Sequence, residues 1–187
     1  MSVQIEKRVF TVDEYHRMSE ASILLEDDCV ELIEGEIIQM SPIGKYHAAC
    51  VKRLNAVLSR RVGNDAIISV QDPIRLDHYS EPEPDIAVLK QRNDFYASEL
   101  PTVSDVLLII EVADRSVEYD KTVKLPLYAK ASIAEVWLVN IPEERIEVYS
   151  QPIEGVYHHL RMMKRGETFS PEAFPHLVLK VNEILGE

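Results

Sequence analysis

The stretch Val106–Val112 constrains this fold most, because it combines a continuous apolar run with a single carboxylate. Five apolar residues, Val-Leu-Leu-Ile-Ile, precede Glu111 and Val112, which predicts a strand buried on both faces. An unpaired charge in such a strand costs free energy, or the group protonates instead. Glu111 therefore requires a partner cation, and the remaining motifs indicate which cation that is.

Chain length and apolar content predict one domain spanning residues 1–187. No apolar run approaches the ~20 residues of a membrane helix, and we expect no membrane association. The N-terminus lacks the apolar core of a signal peptide. Cys29 and Cys50 are too few for a disulfide framework, so we expect a reducing compartment, the cytoplasm.

The net charge of −12 argues against a general nucleic-acid binder, whose surface is usually basic. The charge is unevenly distributed, however, because no acidic residue occurs between Ile37 and Asn64. From charge alone, this segment is equally a basic binding surface or a solvated helix face. Its basic residues are Lys45, Lys52, Arg53, Arg60 and Arg61.

Hydrophobic periodicity predicts a mixed central β-sheet flanked by helices, an α/β or α+β fold. A capping box at Thr11–Glu14 begins one helix, and a second runs over 45–62 with Tyr46, Cys50, Leu54, Val57 and Leu58 as its core stripe. A third helix, 116–131, is interrupted by Pro126. Strands are predicted within 29–40 (a hairpin turning at 34–35), and at 66–70, 74–77, 86–89, 106–112, 134–139, 145–149 and 156–163.

Two carboxylates and a lysine on successive predicted elements form a candidate catalytic set. Asp85 precedes the strand 86–89, Glu111 ends the strand 106–112, and Lys124 lies on the following helix. Carboxylates from adjacent strands can bind one hard cation such as Mg²⁺. A metal held in this way polarises a phosphodiester, and a neighbouring lysine stabilises charge on phosphorus. This inventory is sufficient for phosphodiester hydrolysis.

Several motifs together resemble the Uma-two family, long described as a domain of unknown function, within the PD-(D/E)XK restriction-endonuclease-like superfamily. The resemblance spans nearly the whole chain. The motifs are Tyr15, Glu31-Leu-Ile-Glu-Gly-Glu36, Ser41-Pro42 with His47, Glu83-Pro-Asp85, Ile110-Glu-Val112, Asp120 with Lys124, Leu127-Tyr-Ala129 and Glu135-Val-Trp-Leu-Val139.

The resemblance implies a restriction-endonuclease-like fold and a metal-dependent DNA endonuclease. Asp85 and Glu111 would be the metal ligands, for Mg²⁺ or Mn²⁺, and Glu34 an additional catalytic acid. Ala113 stands where the superfamily pattern has a lysine, so this role passes to Lys124, with Lys121 as the second choice. A homodimer is also implied. His47, Lys45 and Lys52 would bind substrate.

Other interpretations of the same residues remain open. Glu111 can form a buried ion pair with Lys124 or an arginine, which requires no metal. Glu34 is then a solvated turn residue, and His47 a hydrogen-bonded core histidine. The function would accordingly be a non-catalytic binding or assembly module. A hydrolase of small phosphate esters is a third possibility, and it predicts a pocket too narrow for a duplex.

Overall fold

The computed structural model describes residues 7–186. Helix α1 (Val12–Glu20) begins at the capping box, where Glu14 N donates to Thr11 Oγ1. After a 3₁₀ turn at Glu26–Asp28, strands β1 (Val30–Ile33) and β2 (Glu36–Gln39) form an antiparallel hairpin. Helix α2 (Lys45–Val62) follows and has the predicted bounds. Glycine is required in the hairpin turn, because Gly35 has a φ of +79° and an added Cβ would lie 2.5 Å from Val9 Cβ.

A mixed six-stranded sheet forms the centre of the fold. Strand order across the sheet is β3-β4-β5-β6-β7-β8, and only the β5–β6 pair is parallel. The crossover between these two strands contains the third predicted helix. The six strands are β3 (Ala66–Ser69), β4 (Ile86–Lys90), β5 (Val106–Ala113), β6 (Glu135–Asn140), β7 (Arg145–Ile153) and β8 (Val156–Lys164).

The crossover helix consists of three consecutive pieces. Helix α3 (Val117–Tyr119) leads into a π-helical turn, Asp120–Lys124, and α4 (Leu125–Lys130) continues from it. The widened turn precedes Pro126, the residue expected to interrupt the helix. The remaining elements are a 3₁₀ turn at Val103–Asp105, the short strands β9 (Thr168–Phe169) and β10 (Leu179–Lys180), and helix α5 (Val181–Leu185).

The sheet packs on helices from both sides, as the period-2 pattern requires. On one face, α2 and α5 cover Ile110, Val112 and Trp137. On the other face, Leu125 and Tyr128 of the crossover helix cover Ile109 and Leu138. The architecture is α+β, a mixed sheet flanked by helices. None of the helices in residues 7–186 combines the length and apolarity needed to span a membrane.

Two sequence predictions about the fold are wrong. Residues 74–77 form no strand, because Arg75 makes only an isolated bridge to Thr102. Tyr46 is not part of the core stripe of α2 and is 62% exposed. The buried stripe of α2 begins one turn later, at Cys50. The first turn of α2 therefore presents its aromatic residue to solvent.

Candidate active site

Asp85 and Glu111 lie side by side at one end of the sheet. In the antiparallel pair β4–β5, Ile86 is opposite Ile110, and this register places Asp85 opposite Glu111. Asp85 N donates to Glu111 Oε2 at 3.4 Å, while Val112 N donates to Asp85 Oδ2 at 2.8 Å. The sequence placed both acids at strand ends, and the register brings them together.

Lys124 supplies the cation that the apolar run around Glu111 requires. Its Nζ lies 3.2 Å from Glu111 Oε1 and 3.2 Å from Glu31 Oε2, and all three residues are buried. Tyr128 Oη donates to Glu111 Oε1 at 2.6 Å. Glu111 is therefore hydrogen-bonded on both oxygens, and Lys124 bridges the sheet and the N-terminal hairpin.

The π-helical turn sets the direction of this lysine. Asp120, Lys124 and Tyr128 are four residues apart, so they share one face of the crossover helix, and all three are buried. Ser116 Oγ donates to Asp120 Oδ2 at 2.7 Å, which fixes the start of this face. π-helical turns occur frequently at functional sites. Here the turn brings both a carboxylate and an ammonium group toward Glu111.

Carboxylates outnumber cations in this cluster. Burial raises the pKa of Glu111, although Lys124 opposes this effect. Burial likewise raises the pKa of Asp120 and of Glu83. Burial alone would lower the pKa of Lys124, but the Glu111 and Glu31 carboxylates outweigh burial and raise this pKa. Lys124 therefore stays protonated. Five carboxylates contribute to the field around Lys124 or contact it directly: Glu31, Glu83, Asp85, Glu111 and Asp120.

His47 joins the cluster from the first turn of α2. Its Nε2 lies 3.0 Å from the Asp85 carboxylate, and this hydrogen bond raises the pKa of His47. Because an ionised Asp85 only accepts, Nε2 carries the hydrogen. His47 Nδ1 and Tyr119 Oη are buried without a hydrogen-bond partner in the described part of the chain. Such atoms in a native protein generally have a partner in water, an ion or a ligand.

The structure places Glu34 and Lys121 apart from this cluster. Glu34 lies in the hairpin turn, where its 60% exposed side chain pairs with Lys130 at 2.6 Å. Lys121 pairs with Glu147 of β7 at 2.9 Å. The acid of the hairpin that contacts Lys124 is Glu31, three residues before the one that the sequence favoured.

Sequence reasoning missed three buried side chains at the site: Glu31, Asp120 and Tyr128 were noted only as parts of motifs. A signal for Glu31 was available, because it lies within the apolar segment Val30–Ile33 as Glu111 lies within its own strand. Glu34, by contrast, adjoins the turn glycine. The argument applied to Glu111 would have selected Glu31 as the buried acid of the hairpin.

The basic residues of α2 divide into two groups. Arg53 donates to the carbonyls of Ile184 and Leu185, and Arg61 contacts Val178 O and Glu183, so both hold the C-terminal segment. Lys45, Lys52 and Arg60 are exposed on the outer surface and have no ion pair among the described residues. The second group is the one whose charges are not paired with a described carboxylate and can meet an external polyanion.

The donor set fits a hard divalent cation. Carboxylate oxygens are the ligands Mg²⁺ prefers, and it commonly uses one or two of them and retains several waters. Within residues 7–186, no group of three or more His, Cys, Asp or Glu side chains is arranged to hold a metal ion. A two-carboxylate site at Asp85 and Glu111 does not need such a group. The excess of buried carboxylates and the two unpartnered polar atoms agree with a ligand that is positively charged and hydrated.

Comparisons with known proteins identify the fold and the family of this chain. A crystal structure described as "a putative nuclease belonging to DUF820 from Anabaena variabilis ATCC 29413" matches with a TM-score of 0.74. The match covers 94% of this chain and 97% of that chain at 18% identity, and it establishes the fold. No curated protein matches the sequence. The model of the Uma2 family, described as "Putative restriction endonuclease", matches residues 12–182, and the chain belongs to this family.

Proposed function

We propose that this protein is a metal-dependent endonuclease that hydrolyses phosphodiester bonds of DNA. The observation that carries the proposal is the meeting of Asp85 and Glu111 on adjacent strands beside the buried ammonium of Lys124. Asp85 and Glu111 would hold Mg²⁺ or Mn²⁺, and Glu31 would fix Lys124 beside them. When bound, a divalent ion would polarise the phosphodiester and lower the pKa of the attacking water.

Lys124 acts as a cation in this scheme and not as a base. Its pKa is raised by the surrounding carboxylates, so it retains its proton at neutral pH. A fixed ammonium group donates hydrogen bonds to a phosphate oxygen and stabilises the negative charge that develops in the transition state. Glu31 and Glu111 hold this group in place before substrate arrives, so little reorganisation accompanies the reaction.

His47 links the carboxylate pair to the substrate. Its Nε2–H donates to Asp85, which orients the carboxylate. When His47 is protonated, the positive charge of its imidazolium would attract a phosphate to the side of Asp85. Lys45 and Lys52 lie on the same helix and would contact neighbouring phosphates, which gives an affinity that falls with salt concentration. The acidic remainder of the surface repels DNA and favours approach along α2.

Cleavage of supercoiled plasmid by the purified protein tests the proposal. We expect nicking that requires Mg²⁺ or Mn²⁺ and stops on addition of EDTA. Asp85→Asn and Glu111→Gln should lower the rate by more than 100-fold, about 2.7 kcal/mol of transition-state stabilisation. Glu99→Gln, at an exposed loop carboxylate, serves as the control. Metal binding without cleavage of any DNA or RNA substrate would overturn the proposal.

A non-catalytic binding or assembly module is the second candidate. One observation favours it: Lys124 already neutralises Glu111 and Glu31 through two 3.2 Å contacts. An ion pair of this kind stabilises a fold only when its geometry is good, and it needs no metal. Titration calorimetry with Mn²⁺ separates the two functions, because a module of this kind binds no Mn²⁺ at the Asp85–Glu111 pair.

We also propose that the protein forms a homodimer through β8, the last strand of the sheet. Its outer edge is unpaired within the described residues, and it exposes Val156, Leu160 and Met162. Antiparallel pairing of two β8 strands would cover this edge and satisfy twofold symmetry. Sedimentation equilibrium should give twice the chain mass, and Leu160→Lys should convert the dimer to a monomer.

A further inference from the structure

The first turn of α2 lies at the entrance of the candidate site. A Cβ added at Gly44 would lie 3.3 Å from Asp114 Oδ2, so the helix begins close to the end of β5. His47, two residues into the helix, contacts Asp85. Tyr46 is the residue next to His47 in the chain. Tyr46 points about 100° away from His47 around the helix axis, so its ring lies on the solvent side of the same turn.

Tyr46 presents an open aromatic surface at this entrance. The residue is 62% exposed, and Ile43, just before the helix, is 57% exposed. Lys45 Nζ lies 5.0 Å from the centroid of the Tyr46 ring, so a cation stands over an exposed aromatic ring.

Charge distinguishes Tyr46 from the other exposed aromatic residues. Phe95 is 69% exposed but follows Asp94, and Tyr79 is 45% exposed but its N donates to Asp77. The segment around Tyr46 contains no acidic residue from Ile37 to Asn64, and Lys45 and Lys52 are exposed on α2. Tyr46 is thus an exposed aromatic residue in a chain segment that carries only basic charges, in the same helical turn as His47, and the nearest acid to the start of that helix is Asp114.

An aromatic ring flanked by cations is the arrangement that single-stranded nucleic acids recognise. Base-on-aromatic stacking contributes about 1–3 kcal/mol per base, and every base has a face that can stack. In an intact duplex both faces of each base are covered by neighbouring base pairs. Only an unpaired nucleotide can therefore place its base on Tyr46.

We propose that Tyr46 is a stacking platform for an unpaired base, so that the preferred substrate has single-stranded nucleotides next to the cleaved bond. This inference rests on the proposed function and names its substrate class. Lys45 contacts the phosphate beside the stacked base, and the next phosphate is directed toward His47 and Asp85. A protein segment packed on Tyr46 is the competing occupant, and the experiment below separates the two.

Binding of oligonucleotides that carry 2-aminopurine, measured with EDTA present, tests the inference separately from cleavage. We expect fluorescence quenching and tighter binding for a single strand or a gapped duplex than for an intact duplex. Tyr46→Ala should weaken single-strand binding about tenfold and abolish the quenching, because one stacked base is lost. Tyr46→Phe should keep both. Phe95→Ala is the matched control at an exposed ring elsewhere.

The outcomes separate the two proposals. Tyr46-dependent quenching without cleavage of any substrate supports the stacking platform and overturns the nuclease. Equal cleavage of intact and gapped duplex by the wild type and by Tyr46→Ala supports the nuclease and overturns the platform. Equal single-strand affinity of the wild type and Tyr46→Ala, or no single-strand binding at all, also overturns it, and a protein partner becomes the occupant of Tyr46.

Discussion

Glu111 and Glu147 occupy equivalent positions in the sheet and have opposite electrostatic environments. Leu138 of β6 pairs with Glu111 on one side and with Glu147 on the other, so both glutamates point to the same face. Two strand spacings, about 10 Å, separate them. The π-helical turn Asp120–Lys124 contacts both, through Lys124 and Lys121 respectively. Burial is also alike, at 4% and 1% exposure.

The difference lies in the number of donors around each carboxylate. Glu147 contacts Lys121 and Arg145, and Asn140 and Tyr149 also donate to it. Burial alone would raise the pKa of Glu147, but these hydrogen bonds lower it to about 2. Around Glu111, burial outweighs Lys124, which also contacts Glu31, so the pKa of Glu111 rises instead.

A structural ion pair and a candidate active site within one sheet differ in the balance between carboxylates and their donors. Around Glu147, cations and neutral donors match the charge, which is the arrangement of a structural site. Around Glu111, carboxylates exceed cations, so the folded state has an excess of carboxylates over the cations that could neutralise them. Strongly perturbed groups in excess of their partners are characteristic of functional sites. A divalent ion would neutralise the excess negative charge at Glu111, whereas the charges at Glu147 are already matched.

Removal of each lysine should show the largest difference between the two positions. Lys124→Met leaves Glu31 and Glu111 buried without a cation and should lower the free energy of unfolding by about 3–5 kcal/mol. Lys121→Met should cost about 1 kcal/mol, because Lys121 is 29% exposed and Glu147 retains Arg145. Urea unfolding at pH 7 with EDTA measures both. Equal losses would show that the two carboxylates depend on their lysines alike.

Removal of each carboxylate charge should lower stability by different amounts. Glu147→Gln should cost about 2–3 kcal/mol at pH 7, since it leaves the cations of a matched site without an acceptor. Glu111→Gln should cost less than about 1 kcal/mol in EDTA, because burial already disfavours the charge that is removed. Chemical unfolding of both variants provides the measurement. A larger loss for Glu111→Gln would contradict the comparison.

The pH dependence of these variants sharpens the test. The folded pKa of Glu147 is about 2 and lies below its usual value of 4.5, so its contribution is present above pH 4.5 and is lost as the pH falls toward 2. The folded pKa of Glu111 is raised, so stability declines as the pH rises above 4.5. Glu111→Gln should remove that decline and leave the acid-side loss unchanged.

Magnesium should act on one position alone. At ten times its dissociation constant, Mg²⁺ should raise the free energy of unfolding of the wild type by about 1.4 kcal/mol. Asp85→Asn and Glu111→Gln should abolish this gain, whereas Glu147→Gln should retain it from a lower baseline. Thermal unfolding with a Mg²⁺ series provides the measurement, and KCl at matched ionic strength is the control. A gain that survives Glu111→Gln would place the ion elsewhere.

The sequence was sufficient for the parts of the site that local patterns determine. Glu111 stood out because a carboxylate in an apolar run is anomalous in itself, but the register that sets Asp85 opposite Glu111 came only from the structure. The resemblance favoured Lys124 over Lys121, and the structure places Lys124 beside Glu111. The mixed sheet and most element bounds followed from periodicity.

The remaining features depend on tertiary contacts between distant segments. The apolar neighbours of Glu31 indicate that it is buried. Its contact with Lys124, however, is decided by how the hairpin docks on a helix about 90 residues later in the chain. The exposure of Tyr46 arises because the buried stripe of α2 begins only at Cys50. Tyr46 has the helical spacing of that stripe, but spacing alone does not show how far along the helix the stripe is covered by other elements.

The smallest expected effect concerns Glu34, and it extends the comparison to the hairpin. The Glu34–Lys130 pair is 60% exposed on both sides, and pairs of this kind contribute about 0–1 kcal/mol. Glu34→Gln should therefore leave plasmid cleavage within about twofold of the wild type. Glu31→Gln removes one of two carboxylates that hold Lys124 and should lower kcat at least tenfold, about 1.4 kcal/mol. Single-turnover cleavage rates decide between them, and a larger loss for Glu34→Gln would return the catalytic role to the turn residue that the resemblance implied.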